Sequence, residues 1–258
     1  MISKTMDISN REPISVVMIT YNEADNIENC LRSLEWADEI VVVDSHSTDG
    51  TADIARKYTE RIIERDWPGF TVQRNFASDQ AEHDWVLSID ADERVTPELK
   101  DAILDTLTNG GAGKSGFFIP IKTYYLGRWI RHCGWHHEKL RLYQRSKGKF
   151  VGQHVHEKLE LEGPTGRLVQ HIDHYNYRNV SEQIQRVDHY SALAAQEMFD
   201  NGRRFFLPSL SIRPPVKFLE TYLWKLGILD GLPGLIISVM DAYQMFLRYA
   251  KLWEMGKK

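Results

Sequence analysis

Cysteine is scarce in this chain: Cys30 and Cys133 are the only two in 258 residues. Two thiols do not build a disulfide framework, so stability must come from a packed core, and reduced thiols in a cytoplasmic compartment are expected. No uncharged apolar run reaches the roughly 18 to 20 residues that cross a bilayer as a helix. The segment from Met1 to Glu12 is polar and has no apolar signal core, so residues 1–12 read as a flexible tail. Internal repeats and low-complexity stretches are missing as well. A glycine-rich basic loop after the first apolar run is also lacking: Thr20 to Asp25 is acidic and has no glycine, which argues against a nucleotidyltransferase phosphate loop.

Charge is small overall but unevenly spread. The formal net charge is −4, yet residues from Asn201 to Lys258 hold nine Lys/Arg against four Asp/Glu, a local +5 that leaves −9 on the first two hundred. A basic end on an acidic body suits a negatively charged surface, and a solvated helical face is the plainer reading. No nucleic-acid partner is expected.

Apolar runs alternate with helical patterns through the first half. Ile14–Thr20, Glu39–Asp44, Arg61–Arg65 and Trp85–Asp90 read as strands. Helices are expected from a capping box at Asp25-Asn26-Ile27-Glu28 through about Trp36, from Thr51 to about Tyr58, over Thr71–Ala81, and after a Thr96-Pro97 cap. This alternation implies right-handed crossovers and a mostly parallel sheet. Asn109 to Gly113 reads as a flexible break. Beyond it, Gly116–Leu126, Leu140–Gln144 and Lys149–Leu161 are strand-like, extending the sheet or forming an antiparallel flap. Helices then follow over Ser181–Asn201, Pro215–Leu229 and Pro233–Trp253. In Pro215–Leu229 an apolar stripe (Val216, Leu219, Tyr222, Leu223, Leu226, Leu229) predicts packing on the body of the protein or a second subunit, or attachment to an anionic bilayer. The expected division is residues 13–180 as an α/β domain, in halves of about 13–113 and 114–180, and residues 181–258 as a helical extension.

Three strands end on polar phrases that a parallel sheet delivers to one edge. Thr20-Tyr21-Asn22-Glu23 offers backbone groups and an aromatic face to a base. Asp44 can accept hydrogen bonds from a base or a ribose hydroxyl, or form a turn with Ser45, Ser47 and Thr48. Asp90 and Asp92 form an Asp-x-Asp pair suited to a hard divalent cation, Mg²⁺ or Mn²⁺, and a diphosphate. Arg74 can neutralise phosphate or form a surface ion pair.

Taken together, Thr20-Tyr21-Asn22-Glu23, Val43 to Thr51, Gln73-Arg74-Asn75 and Asp90-Ala91-Asp92-Glu93 resemble glycosyltransferase family 2. His46 departs from that pattern, where the family has a small residue, often Gly. The resemblance implies the GT-A fold, a Rossmann-like α/β architecture, and a nucleotide-sugar donor. It makes Asp92 the main metal ligand, with Asp90 touching ribose or metal. Arg141-Leu142-Tyr143, Phe150-Val151-Gly152, His156-Glu157 and Gly231 to Leu235 resemble a narrower branch, the bacterial lipopolysaccharide-core β-glucosyltransferases. That similarity implies a UDP-sugar donor, glucose first, and a glycolipid acceptor.

Family 2 enzymes invert the anomeric centre, which calls for one base on the acceptor hydroxyl. Glu157 is expected in that role, or else as a surface partner of Lys158 or Arg141. His156 or His154 is a candidate third metal ligand. Trp135, His136 and Arg141 are expected to contact the acceptor. A non-catalytic membrane-associated scaffold is the remaining alternative.

Overall fold

The computed structural model describes residues 11–135, 137–152 and 157–257. The proposed tail therefore lies almost wholly outside the described residues. The chain divides into two compact units, one of Met1–Pro120, Glu138–Val151 and Lys158–Asp173, the other of Ile121–His137, Gly152–Glu157 and His174–Lys258. The segment expected to be an acceptor half, residues 114–180, is thus shared between them.

The first unit is built on a mixed sheet. Strands β1 (Ile14–Thr20), β2 (Glu39–Asp44), β3 (Ile62–Glu64) and β4 (Trp85–Ser88) are parallel neighbours in the order β3-β2-β1-β4. The order continues through β8 (His137–Gln144), β6 (Gly116–Tyr125) and β12 (Ile172–Tyr175) to β5 (Glu93–Val95), with β11 (Thr165–Arg167) on β6. β1 is central, and its β-branched run is buried on both faces, as parallel strands require. Ile14, Val16 and Met18 join one core cluster with Ile27, Leu31 and Leu99, while Val17 joins a second with Val41, Val43 and Val86. β9 (Gly148–Val151) and β10 (Lys158–Leu161) form a separate antiparallel pair. The middle of the chain therefore both extends the sheet and makes a flap.

The helices are α1 (Ala24–Arg32), α2 (Thr51–Ala55), α3 (Phe70–Asp79), α4 (Pro97–Thr108), α5 (Val180–Asp200), α6 (Leu207–Leu219) and α7 (Gly231–Met255). Thr96 caps α4 as expected, its Oγ1 accepting from Leu99 N at 3.2 Å. The capping box expected at Asp25 does not form. α1 starts at Ala24, whose N–H donates to Asp49 Oδ2 at 3.0 Å, while Glu23 N–H donates to Thr51 Oγ1 at 2.8 Å. A neighbouring loop supplies the cap. The glycine run expected as a flexible break is a 3₁₀ turn, Gly110–Gly113. Gly111 sits at φ +68°, and a Cβ there would lie 2.4 Å from the Trp85 ring, so the position requires glycine.

The second unit is largely helical. α6 and α5 both pack on α7. The expected helix Pro215–Leu229 is revised. α6 begins at Leu207, contains Pro214 and Pro215, passes into a π-turn at Glu220–Trp224, and stops where Leu226 takes φ +55°. Packing on α7 outweighs the two ladder hydrogen bonds that the prolines cannot donate.

Candidate active site

Because β1, β2 and β4 are parallel, their carboxyl ends share one edge, and the loops that follow are laced together there. Asn22, at φ +53°, donates its N–H to Ser47 Oγ (2.8 Å) and accepts from Thr48 N–H at Oδ1 (2.9 Å). Asp44 is buried and accepts from both Ser47 N–H (2.7 Å) and Ser47 Oγ (2.6 Å), the turn geometry its position suggested. Thr20 is buried, and among the described residues its Oγ1 has no hydrogen-bond partner. Tyr21 beside it is 58% exposed. The edge thus offers an unsatisfied hydroxyl and a free aromatic ring. His46 stands at φ +61°, a conformation natural to glycine, and its imidazole Nε2 lies 3.0 Å from Asp66 Oδ1.

Each residue of Gln73-Arg74-Asn75 on α3 has a distinct contact. Gln73 Nε2 donates to Ser45 Oγ at 3.2 Å. Asn75 brackets Phe150, donating to its carbonyl at 2.9 Å and accepting its N–H at 2.8 Å. Arg74 is buried and donates to Asp90 Oδ1 at 2.8 Å and Ser88 Oγ at 3.3 Å. It is an interior ion pair, not a surface one.

Arg141 completes this network. β8 runs antiparallel to β4 with Leu142 opposite Leu87, a register that sets Arg141 across from Ser88. Its Nη2 donates to Asp90 Oδ2 at 2.8 Å and to Glu93 Oε1 at 2.5 Å, and Glu93 Oε2 accepts from Asp90 N–H at 2.9 Å. The sequence points to Arg141 as an acceptor contact. Instead it is buried with its charge committed to two carboxylates. Burial by itself would raise the Asp90 pKa, but Arg74, then Arg141 and Lys139, hold it well below the usual carboxylate range. Lys139 is pushed down, chiefly by Arg141. Asp92, two residues on, is buried at the same turn.

The other expected residues are distributed as follows. Trp135 belongs to the second unit, half-buried against Tyr125 and Tyr177 in an apolar cluster. Glu157 is half-buried directly before β10. His136, His154 and His156 lie outside the described residues. Among the described residues, no group of three His, Cys, Asp or Glu side chains is placed to hold a metal ion. The chemistry of Asp90 and Asp92 still fits a hard divalent cation, because such ions bind through one or two carboxylates with substrate phosphates completing the shell.

The profile of Glycosyl transferase family 2 matches residues 15–158, more than half of the chain. The chain belongs to glycosyl transferase family 2. This glycosyltransferase is 32% identical over 254 residues to the lipopolysaccharide core biosynthesis glycosyltransferase LpsC of Rhizobium meliloti, covering 94% of this chain and 92% of that protein. It is 28% identical over 257 residues to an uncharacterized glycosyltransferase of Rickettsia typhi, covering 95% and 88%. Among solved structures, the mannosyltransferase PcManGT of Pyrobaculum calidifontis, in complex with GDP-Man and Mn²⁺, aligns with a TM-score of 0.52 at 18% identity, over 96% of this chain and 89% of that one. S. aureus TarS 1–349 aligns at 0.50, also 18% identical, over 95% and 91%. The glycosyltransferase has the GT-A fold.

Four members of the site carry contacts that sequence reading did not assign: Ser88, Glu93 and the lacing pair Asp49 and Thr51. Glu93 was visible inside Asp90-Ala91-Asp92-Glu93, but only the β8 register brings a cation to it.

Proposed function

We propose that this enzyme is an inverting hexosyltransferase that moves glucose from a UDP-sugar to a lipopolysaccharide-core or related glycolipid acceptor. The observation carrying this reading is the convergence of Asp90, Arg74, Arg141 and Glu93, with Asp92 at the same turn, on the carboxyl edge of β4. The full-length similarity to LpsC supports the acceptor class.

In this reading Tyr21 stacks on the base, and Thr20, Asn22, Glu23 and Asp44 line the nucleoside. Asp92, with Asp90, would hold Mg²⁺ or Mn²⁺. Such a cation, when bound, neutralises the charge that develops on the departing diphosphate. Asp90 is fixed by two guanidiniums, so it offers a pre-organised acceptor to the ribose and needs no reorganisation during turnover. Glu157 takes the proton from the acceptor hydroxyl as it attacks the anomeric carbon in line. His156 is the proposed third ligand. The enzyme is proposed to work in the cytoplasm, peripheral on the inner face of the membrane, with the α6–α7 region against anionic lipid.

The test incubates the enzyme with UDP-glucose, Mn²⁺ and core-truncated lipopolysaccharide, and reads the new linkage by NMR. A β-linked product is expected. Glu157→Gln should abolish transfer while UDP-glucose still raises the melting temperature. An α-linked product, or a variant that keeps most of its turnover, overturns the mechanism.

A further inference from the structure

The second unit contains a cleft of about 610 Å³ that no assigned role explains, lined by Tyr124, Arg128, Trp129, Arg131, His132 and Asp230 among others. A tight hairpin shapes one wall. Strand β7 (Arg128–Trp129) folds back on β6, pairing Tyr124 with Trp129 and Tyr125 with Arg128. The two turn residues, Leu126 (φ +44°) and Gly127 (φ +88°), both take positive φ, as the favoured two-residue hairpin demands. A leucine in that conformation is costly, so the surrounding structure enforces the turn. Alternation along β6 buries Tyr125 and turns Tyr124 to the other face. There the Tyr124 ring lies 5.1 Å from Trp129 and 5.4 Å from Tyr175, and Lys122 Nζ lies 4.4 Å from the centre of the Trp129 ring.

The floor is a buried carboxylate. Asp230 accepts from Arg131 N–H at 3.1 Å and His132 N–H at 2.9 Å, with His132 Nδ1 3.3 Å away. Its charge is therefore spent on backbone and imidazole. The Arg128 guanidinium lies close over Gly231, with Nη1 3.2 Å from where a Cβ would stand. Arg128 and Arg131 are both exposed, and among the described residues neither guanidinium has a hydrogen bond or ion pair.

We infer that this cleft is a subsite for an anionic sugar, a pyranose carrying a phosphate or carboxylate. Two unpaired guanidiniums match a bidentate oxyanion, and the aromatic wall supplies flat apolar area for a sugar face. The volume lies in the range of small-molecule sites. The assignment deepens the proposed function by giving the acceptor a chemical class, and it rests on that reading only for the word acceptor.

Calorimetry on the full chain tests it, with glucose 6-phosphate and glucuronate as probes, and methyl glucoside, inorganic phosphate and phosphatidylglycerol vesicles as controls. Both anionic sugars should bind more tightly than methyl glucoside or phosphate. The double variant Arg128→Ala/Arg131→Ala should weaken them roughly tenfold or more, since hydrogen bonds from a guanidinium to an oxyanion are among the stronger ones. Trp129→Ala should weaken them as well, and circular dichroism verifies folding. The UDP-glucose thermal shift should be unchanged in each variant. If that shift is absent from wild type while anionic sugars bind, the donor reading fails and the subsite stands. Undetectable binding of both anionic sugars, equal affinity in wild type and double variant, or inorganic phosphate matching glucose 6-phosphate would overturn the subsite. Vesicle binding lost with sugar binding retained in the double variant would reassign the arginines to lipid and overturn it too.

Discussion

Asp90 offers one oxygen to Arg74 and the other to Arg141, which makes it both the anchor of this sheet edge and a point of vulnerability. Asp90→Asn leaves two buried guanidiniums facing a neutral amide. Breaking a buried pair costs roughly 3–5 kcal/mol, and because the Asp90 side chain is 27% exposed the loss should fall at the lower end. Chemical denaturation measures it. The pH dependence follows from the direction of the shift. Asp90 has a folded pKa below the ordinary value of about 3.9, so its stabilisation is complete above that value. It is lost as pH falls from about 4 toward the folded pKa. Acid titration of stability should be shallower in Asp90→Asn than in wild type over that window.

At this scale the sequence was informative where one residue carried its own chemistry. Asp90, Asp92, Arg74 and Tyr21 could be picked out because their strands end in polar phrases. Arg141 is visible as a cation, but its bonds to Asp90 and Glu93 depend on an antiparallel register between strands more than fifty residues apart. Local patterning does not encode such pairing. Asp44 carries two readings, and its hydrogen bonds form the turn with Ser47.

At the scale of elements, strand positions were legible because buried parallel strands are short, β-branched and uncharged. Helix boundaries were less so. The cap of α1 comes from Asp49 and Thr51, about twenty-five residues downstream, and the prolines at 214 and 215 lie within α6 instead of at its start. The crossing of α7 over the preceding turn gives a sharp expectation. A Cβ at Gly234 would lie 1.9 Å from the Gly227 carbonyl oxygen, so backbone must move to admit it. Gly234→Ala should cost about 1–3 kcal/mol, as overpacking does. It should lower the melting temperature while leaving UDP-glucose binding intact in the protein that remains folded.

For the whole molecule, the dominant surface feature is apolar. Trp224, Leu232 and Phe206 are 75%, 68% and 65% exposed, and Val216, Leu219, Leu223, Leu226 and Leu229 of the expected stripe are also exposed. That stripe is therefore only partly covered among the described residues. Among the described residues no single helix is long and apolar enough to cross a membrane, although Leu207–Trp224 and Gly227–Met255 form a pair bent by 69° that qualifies together by length and composition. Arg203 and Arg204 precede this surface, the combination that favours an in-plane position at an anionic interface. Leu223→Glu/Trp224→Glu should abolish co-sedimentation with phosphatidylglycerol vesicles at low salt. Retained co-sedimentation would remove the membrane role from this face.

The central claim is that the carboxyl edge of β1, β2 and β4 binds a nucleotide-sugar through a cation led by Asp92. Calorimetric titration of UDP-glucose into wild type and Asp92→Asn, each with Mn²⁺ and with chelator, tests it most directly. The account predicts Mn²⁺-dependent binding in wild type, and in the variant a weak affinity that Mn²⁺ no longer improves. Equal affinity in all four titrations would contradict it.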